Sequence, residues 1–201
     1  MGSFYNSLVN TIGSVDDLIE KYEVINDKID AFLKLLFTTR DEPNISLDSI
    51  CTIKYGKSFE ASKLSYKFQY PVYGGNGIIG TLDTYMFKES KVSISCRGAA
   101  SGNVCLTQPL SSISSNSLYL DDIESKHVLP LFYYLKQANL YCYRSGSAQP
   151  QITIENIKSL KIPKSIFDIK YEKNISELYF KNIKKLQYLK NIKEILLSKY
   201  F

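Results

Sequence analysis

Two long stretches with helical periodicity, one at each end of the chain, constrain the fold more than any other feature. From Ser14 to Phe37, apolar residues recur at every third or fourth position and form one stripe on a helix. From about Glu172 onward the pattern repeats, with lysines between the apolar positions. Because neither stretch contains proline or glycine, we predict a long helix at each end, the first starting at a capping box of Ser14 and Asp17.

The charges of the two ends predict that these helices pair with each other. The first 37 residues carry a net charge of −3, and residues 171–201 carry +4. An amphipathic helix needs a partner for its apolar stripe, and the other terminal helix complements it in sign. We therefore expect an antiparallel, coiled-coil-like pair. The alternative is that each helix packs separately on a core.

The sequence between these stretches has the composition of a β-rich domain. Short apolar runs rich in Tyr, Val, Ile and Ser, bounded by Gly and Pro, predict strands at Gln69–Tyr73, Lys91–Cys96 and Ser117–Leu120. One helix is expected from about His127 to Leu140, with Pro130 near its first turn. The middle of the chain is therefore predicted to form a mixed sheet with one helix.

These elements predict an α/β (α+β) fold with three parts. A terminal helix occupies residues 1–40, a mixed-sheet domain residues 41–170, and a second terminal helix residues 171–201. Residues 38–170 carry a net charge of +4, which favours contact with a polyanion. No apolar run reaches the roughly 20 residues that a membrane span needs. The four cysteines contain no C-x-x-C pair, and we expect a cytoplasmic protein with reduced thiols.

Sequence motifs for catalysis are weak. Gly75–Gly80 matches G-x-G-x-x-G, but strand-like residues follow it where a nucleotide-binding motif needs a helix. Asp83, Glu89 and Lys91 have the composition of a magnesium-dependent nuclease site, yet a similar set occurs elsewhere in the chain. The single histidine, His127, would have to be the general base for any serine nucleophile, but the sequence contains no G-x-S-x-G motif. We therefore predict no catalytic residue, no cofactor and no metal site.

Three polar loops carry the remaining chemistry, at Tyr73–Gly77, Ser95–Asn103 and Ser145–Thr153. Glycine and serine let backbone N–H groups approach phosphates, arginine binds phosphate or guanine, and asparagine or glutamine pairs with adenine. Such loops suit DNA recognition. They are equally typical of turns with polar tips, and composition alone leaves both interpretations open.

The order of these segments resembles that of the target-recognition domain in the specificity subunits of type I restriction-modification systems. The resemblance covers nearly the whole chain, through Tyr70–Gly80, Val92–Gly98, Asn116–Ser117, Phe132–Leu135, Gly146–Ile152 and Leu160–Pro163, with spacer-like flanks at Val15–Glu20 and Leu186–Lys190. Members normally carry two recognition domains, so this chain resembles the second half of such a subunit or a half-length version. It departs from the family after Pro163, where Lys164–Asp168 replaces a Pro-x-x-Glu-Gln-like helix start.

The resemblance implies a non-catalytic subunit that recognises double-stranded DNA. Such a subunit would dock DNA methyltransferase (modification) subunits along its helices and direct them, and the restriction subunit, to a half-site. A chain with one recognition domain would then form a homodimer through its helices or act as a fragment.

The loops and nearby lysines supply the candidate DNA-binding residues. Phosphate contacts are expected from Lys54, Lys57, Arg97 and Arg144, and base contacts from the neighbourhoods of Asn76, Gln149 and Gln151. The full set is Lys54, Lys57, Tyr73, Asn76, Arg97, Ser101, Asn103, Arg144, Ser147, Gln149 and Gln151. The alternatives are a specificity module of another restriction-methylation type, a small magnesium-dependent nuclease, and a coiled-coil adaptor.

Overall fold

The computed structural model of the chain describes residues 2–65, 67–146, 149–171 and 173–200. It divides into two compact units, a helical unit formed by the two terminal helices and a central unit formed by Phe37–Ile169. The helices are α1 (Gly2–Leu36), α2 (Ser125–Gln137), α3 (Ile154–Ile157) and α4 (Lys173–Tyr200). The strands are β1 (Ile45–Ser46), β2 (Thr52–Tyr55), β3 (Tyr70–Gly74), β4 (Gly77–Leu82), β5 (Val92–Ser95), β6 (Val104–Leu106), β7 (Ser112–Ile113), β8 (Ser117–Asp121) and β9 (Lys161–Ile162).

The two predicted terminal helices are confirmed, but the start of the first was wrong. Helix α1 begins at Gly2, so Ser14 lies inside it and caps nothing. The Ser14 hydroxyl instead donates to the carbonyl of Asn10 at 2.9 Å, one helical turn earlier. Leu8 is buried, which shows that the apolar stripe extends before Ser14. No helix among the described residues is long and apolar enough to cross a bilayer.

Helices α1 and α4 pack against each other in the helical unit. Ion pairs of 2.6 Å join Glu23 to Lys190 and Asp16 to Lys193. As the position in α1 falls, the position in α4 rises, so the helices run antiparallel. The acidic residues come from α1 and the lysines from α4, which is the charge complementarity that the sequence predicts.

The described residues of the central unit form three sheets, one of them mixed. The largest has the strand order β2-β8-β5-β6 and is antiparallel throughout. A second has the order β4-β3-β7, in which β3 and β7 are parallel. A small antiparallel pair joins β1 to β9 and brings the start and end of the unit together. The predicted α+β fold, with a mixed sheet between long terminal helices, is confirmed.

Helix α2 packs on β5 and β6, and its side chains Leu131 and Leu135 are buried. The helix begins at Ser125, so Pro130 lies in its second turn and not near the first, as the sequence suggested. It ends at Gln137, earlier than predicted, and the chain continues into a short 3-10 helix, Leu140–Tyr143.

The glycine-rich segment forms a hairpin and not a nucleotide-binding loop. Gly74 pairs with Gly77, so Gly75 and Asn76 form a two-residue turn between β3 and β4. Gly80, the third glycine of the motif, lies in β4, and no helix opens there. A phosphate at this motif would therefore lack the helix N-terminus that binds it in dinucleotide folds.

Candidate nucleic-acid interface

Several strand ends meet at one end of the four-stranded sheet. There β5 ends at Ser95, β8 begins at Ser117, and these two residues are partners in the sheet. The loop 96–103 follows β5 and leads into β6. The turn of the β3–β4 hairpin approaches this loop closely because Gly75 has no side chain: a Cβ there would lie 2.7 Å from the Ser95 hydroxyl. The hairpin turn and the loop thus form one surface.

Two further segments extend this surface, which we call the loop cluster: the turn 75–77, the loop 96–103, and the segments 139–146 and 149–152. Ser145 and Gln151 exchange two backbone hydrogen bonds, of 2.8 and 2.9 Å. The amide of Ile152 donates to the carbonyl of Cys96 at 2.9 Å, and the Ile152 side chain is buried. The backbone that carries Gln151 is therefore fixed to the sheet end.

Arg144 fastens two parts of the loop cluster together. Its Nε donates to the carbonyl of Ser101 at 2.9 Å, and one of its terminal nitrogens donates to the carbonyls of Ala99 and Ser101. The guanidinium carbon lies 3.9 Å from the centre of the Tyr141 ring, within range of a cation–π interaction. Arg144 is half-buried, so its charge is engaged in holding the backbone of the 96–103 loop.

A short helix anchors the far end of the last segment. The Thr153 hydroxyl accepts a hydrogen bond from the amide of Asn156 at 3.2 Å, and the Asn156 side chain accepts one from the amide of Thr153 at 3.0 Å. This capping box starts α3. Because the cap residue Thr153 follows directly after Ile152, the cap anchors the end of the segment that carries Gln149 and Gln151.

The loop cluster carries positive charge and exposed amides. Its four segments contain Arg97 and Arg144 but no aspartate or glutamate. Within the part of the chain that the structure describes, the exposed Arg97 side chain makes no ion pair or hydrogen bond. The amide side chains of Asn76, Asn103, Gln149 and Gln151 are also exposed. An acid-free surface of amides and one unpaired guanidinium is suited to a polyanion that also offers hydrogen-bonding edges.

Most of the predicted DNA-binding residues come together here. The loop cluster contains Asn76, Arg97, Ser101, Asn103, Arg144, Gln149 and Gln151. Ser101 is fully buried, however, and contributes its carbonyl to Arg144 and not its side chain to the surface. Ser147 lies outside the described residues.

Lys57 lies beside the loop cluster. Its carbonyl accepts a hydrogen bond from the amide of Ser115 at 2.9 Å. The backbone carbonyl of Asn116, which follows Ser115, accepts a hydrogen bond from the amide of Cys96 in the loop cluster. The Lys57 side chain is exposed. The placement is consistent with a phosphate contact at the edge of the surface.

Tyr73 does not reach the surface. It is 5 % exposed and packs in a core with Ile113 and Tyr119. Its hydroxyl accepts a hydrogen bond from the amide of Gln108 at 3.1 Å. Tyr73 therefore does not belong to the candidate interface. The sequence suggested it only because it lies next to a glycine-rich turn.

Lys54 is engaged in an ion-pair network and does not face the loop cluster. Asp121 accepts from Lys54 at 2.8 Å and from Lys91 at 2.5 Å. Partial burial opposes ionisation of Asp121, but the two lysine hydrogen bonds outweigh it and lower the pKa of this carboxyl to about 2. Asp121 pairs with Thr52 at the end of the sheet opposite to Ser95. Lys54 is therefore removed from the candidate interface as well.

The ion pair between Asp121 and Lys91 argues against the alternative of a magnesium-dependent nuclease. Lys91 would serve a nuclease by contacting the scissile phosphate, but here it binds Asp121 and lies above the Phe87 ring. Asp83 and Glu89 are exposed. Among the residues that the structure describes, no three His, Cys, Asp or Glu side chains are grouped so that they would hold a metal ion.

A concavity of about 470 Å³ in the loop cluster was not predicted from the sequence. Its walls include Asn76, Asn103, Lys136, Asn139 and Tyr141. Asn139 and Tyr141 were missed because the sequence predicted a helix through Leu140, whereas α2 ends at Gln137 and the Asn139 side chain accepts a hydrogen bond from the amide of Tyr141. Lys136 lies in α2 itself, where nothing in the sequence distinguishes it from a solvated lysine.

Comparisons with solved structures identify the fold. The S subunit of a type I restriction-modification system from M. genitalium matches with a TM-score of 0.68 at 20% identity, over 97% of this chain and 60% of that one. The HsdS subunit from Thermoanaerobacter tengcongensis matches with a TM-score of 0.47 at 16% identity, over 96% and 56%. The chain thus spans about 60% of the length of the first of these subunits. No curated protein sequence matches it.

The family itself is shown by sequence. Residues 42–197 match the model of the family described as the type I restriction modification DNA specificity domain. The match covers more than half of the chain, including the whole loop cluster and most of α4. It agrees with the resemblance that the order of the polar loops suggests. The chain therefore belongs to the type I restriction modification DNA specificity domain family.

Proposed function

We propose that this chain is a DNA-recognition subunit, or half of one, in a type I restriction-modification enzyme, and that its loop cluster reads a half-site in double-stranded DNA. The observation that carries the proposal is the acid-free loop cluster, held at one sheet end by hydrogen bonds, in a chain of the DNA specificity domain family. We propose further that the chain is cytoplasmic and catalyses no reaction itself. Its domains are a spacer (1–40), a recognition domain (41–170) and a spacer (171–201).

The exposed side chains divide into two roles on this proposal. Arg97 and Lys57 neutralise phosphates, because both are exposed and positively charged. Gln149 and Gln151 contact bases, because an amide offers a donor and an acceptor that match the edge of adenine. Arg144 acts indirectly by holding the 96–103 loop in place.

The helical unit supplies the partner surface on this proposal. It carries large apolar side chains that are 40% exposed or more, including Leu18, Val24, Phe32, Leu35, Leu178, Tyr188 and Ile195. Apolar surface of this kind is typical of an interaction site. We propose that methyltransferase subunits dock there and that the restriction subunit joins through them. A second copy of the chain would supply the other half-site of a bipartite target.

The test is assembly with the methyltransferase subunit encoded beside this chain. We expect light scattering to show a stable complex, and we expect that complex to methylate DNA at one defined sequence. Tyr188→Glu, at a residue 65% exposed, should weaken assembly by placing a charge in the apolar surface. Gln187→Glu adds the same charge at the neighbouring exposed position and should assemble normally. A chain that does not bind the methyltransferase subunit, or a complex that methylates DNA without sequence preference, would contradict the proposal.

A further inference from the structure

The concavity in the loop cluster has the composition of a base-reading site. Glycines 75, 77 and 102 carry no side chain to cover its backbone, and Leu140 and Tyr141 form an apolar wall. None of the described residues that line it is acidic. Lys136 lies at its edge, with its ammonium 5.3 Å from the centre of the Phe132 ring. Uncovered backbone lets a base edge approach.

Two asparagines in this concavity hold each other in one orientation. The Nδ2 of Asn103 donates a hydrogen bond to the Oδ1 of Asn76 at 3.2 Å, although they lie 27 positions apart. Both side chains are exposed. If the Asn103 amide turned over, two carbonyl oxygens would face each other and repel. The Asn76 oxygen therefore favours the orientation in which Asn103 keeps its own oxygen and its second N–H for a ligand.

The atoms that remain define the ligand. A carboxamide has one acceptor oxygen and two N–H donors, and Asn103 uses one N–H on Asn76. Asn103 keeps its acceptor and one donor. In the major groove only adenine offers a donor and an acceptor side by side, the N6 amino group and N7, whereas guanine offers two acceptors and cytosine a donor.

We propose that Asn103 reads an adenine of the target sequence and that Asn76 is the positioning residue that orients it. This inference rests on the proposed function, because it assumes that the loop cluster enters the major groove. It goes further by assigning one base to one side chain. The carboxylate-free lining of the concavity and the donor–acceptor pattern of the amide pair both support it.

The test is selection of bound duplexes from a random library by the full chain in complex with its methyltransferase subunit. The wild-type site should contain an adenine preferred roughly tenfold over other bases, a preference that Asn103→Ala abolishes. Asn103→Asp removes the donor and keeps acceptors, so the preferred base should change to cytosine. Asn191→Ala, at an exposed asparagine of α4, should leave the site unchanged.

Asn76 variants separate positioning from direct contact. Asn76→Ala should weaken the preference at the same position as Asn103→Ala, because Asn103 loses its fixed orientation. Asn76→Asp keeps an acceptor for Asn103 and should retain the adenine, while its charge weakens binding to all sequences alike. A melting curve for each variant checks that it is folded.

Base analogues test the contact without changing the protein. Replacing the adenine by 7-deazaadenine removes the N7 acceptor and should weaken binding of the wild type several-fold but have no effect on Asn103→Ala. A wild type without any sequence preference would refute the proposed function. A wild type with a preferred site that Asn103→Ala and Asn103→Asp leave unaltered would refute only the assignment of Asn103.

Discussion

The clearest test of the loop cluster is to remove each of its two arginines. Arg144 is half-buried, donates to the carbonyls of Ala99 and Ser101, and stacks on Tyr141. Hydrogen bonds from a charged donor contribute about 1.5–3 kcal/mol each, and a cation–π contact about 0.5–1 kcal/mol. Since water can replace part of these interactions, we expect Arg144→Ala to lower the free energy of unfolding by about 2–3 kcal/mol.

Arg97 is the matched control. It is exposed and makes no hydrogen bond or ion pair with any described residue, so Arg97→Ala should change the free energy of unfolding by less than about 0.5 kcal/mol. Urea unfolding followed by circular dichroism measures both effects, and the dependence on urea concentration should stay the same if the variants unfold alike.

DNA binding should show the reverse contrast. Arg97→Ala should weaken binding to all sequences and reduce the slope of log affinity against log salt by about 1, the signature of one lost phosphate contact. Arg144→Ala should retain nearly the wild-type slope but lose sequence preference, because the 96–103 loop loses the hydrogen bonds that Arg144 donates to it. If Arg144→Ala unfolds like the wild type, Arg144 does not hold the loop. If both variants lose the same salt slope, Arg144 contacts a phosphate.

Three further predictions follow from single contacts. Asp121→Asn should lower the free energy of unfolding by about 1 kcal/mol at pH 7, after allowance for solvent screening. Because the pKa of Asp121 is about 2 in the folded protein, this difference from wild type should vanish as the pH falls from about 4 toward 2. A difference that stays constant in acid titrations would contradict this. Gly146→Ala should cost about 1–2 kcal/mol in urea unfolding, because φ is +88° and the new Cβ would lie 3.0 Å from the Gln149 carbonyl oxygen; a neutral result would show that the loop relaxes. Gln149→Ala should relax base preference at one position of a selected site, and a uniform loss at every position would count against base contact.

The sequence predicted the elements well because their signals are local. The periodicity of the terminal helices and the short apolar runs of β3, β5 and β8 depend on neighbouring residues only. The error at Ser14 was also local: a serine followed by an acid resembles a cap, but the same hydroxyl can bond to the carbonyl four residues earlier inside a helix. The sequence does not distinguish these two uses of serine.

The assembly of the loop cluster could not be predicted because it depends on distant contacts. Arg144 binds carbonyls 43 and 45 positions away, and Asn103 binds an amide 27 positions away. Asp121 had no role predicted from the sequence, yet it lies between two lysines. The sequence shows that each of these side chains is polar. Whether it binds another part of the protein or faces solvent depends on the tertiary structure.

The fold separates the residues that hold the loop cluster from those that face outward. Ile152, Gly146 and the Arg144 guanidinium fix the backbone, through burial, a positive φ and hydrogen bonds to carbonyls. Arg97 and Gln151 extend from that backbone, and their side chains are exposed. Substitutions at the outward positions should therefore alter what the surface binds with little loss of stability, whereas substitutions at the holding positions should reduce both. A recognition domain built in this way can acquire a new target through its exposed side chains while its sheets and its helical unit stay the same.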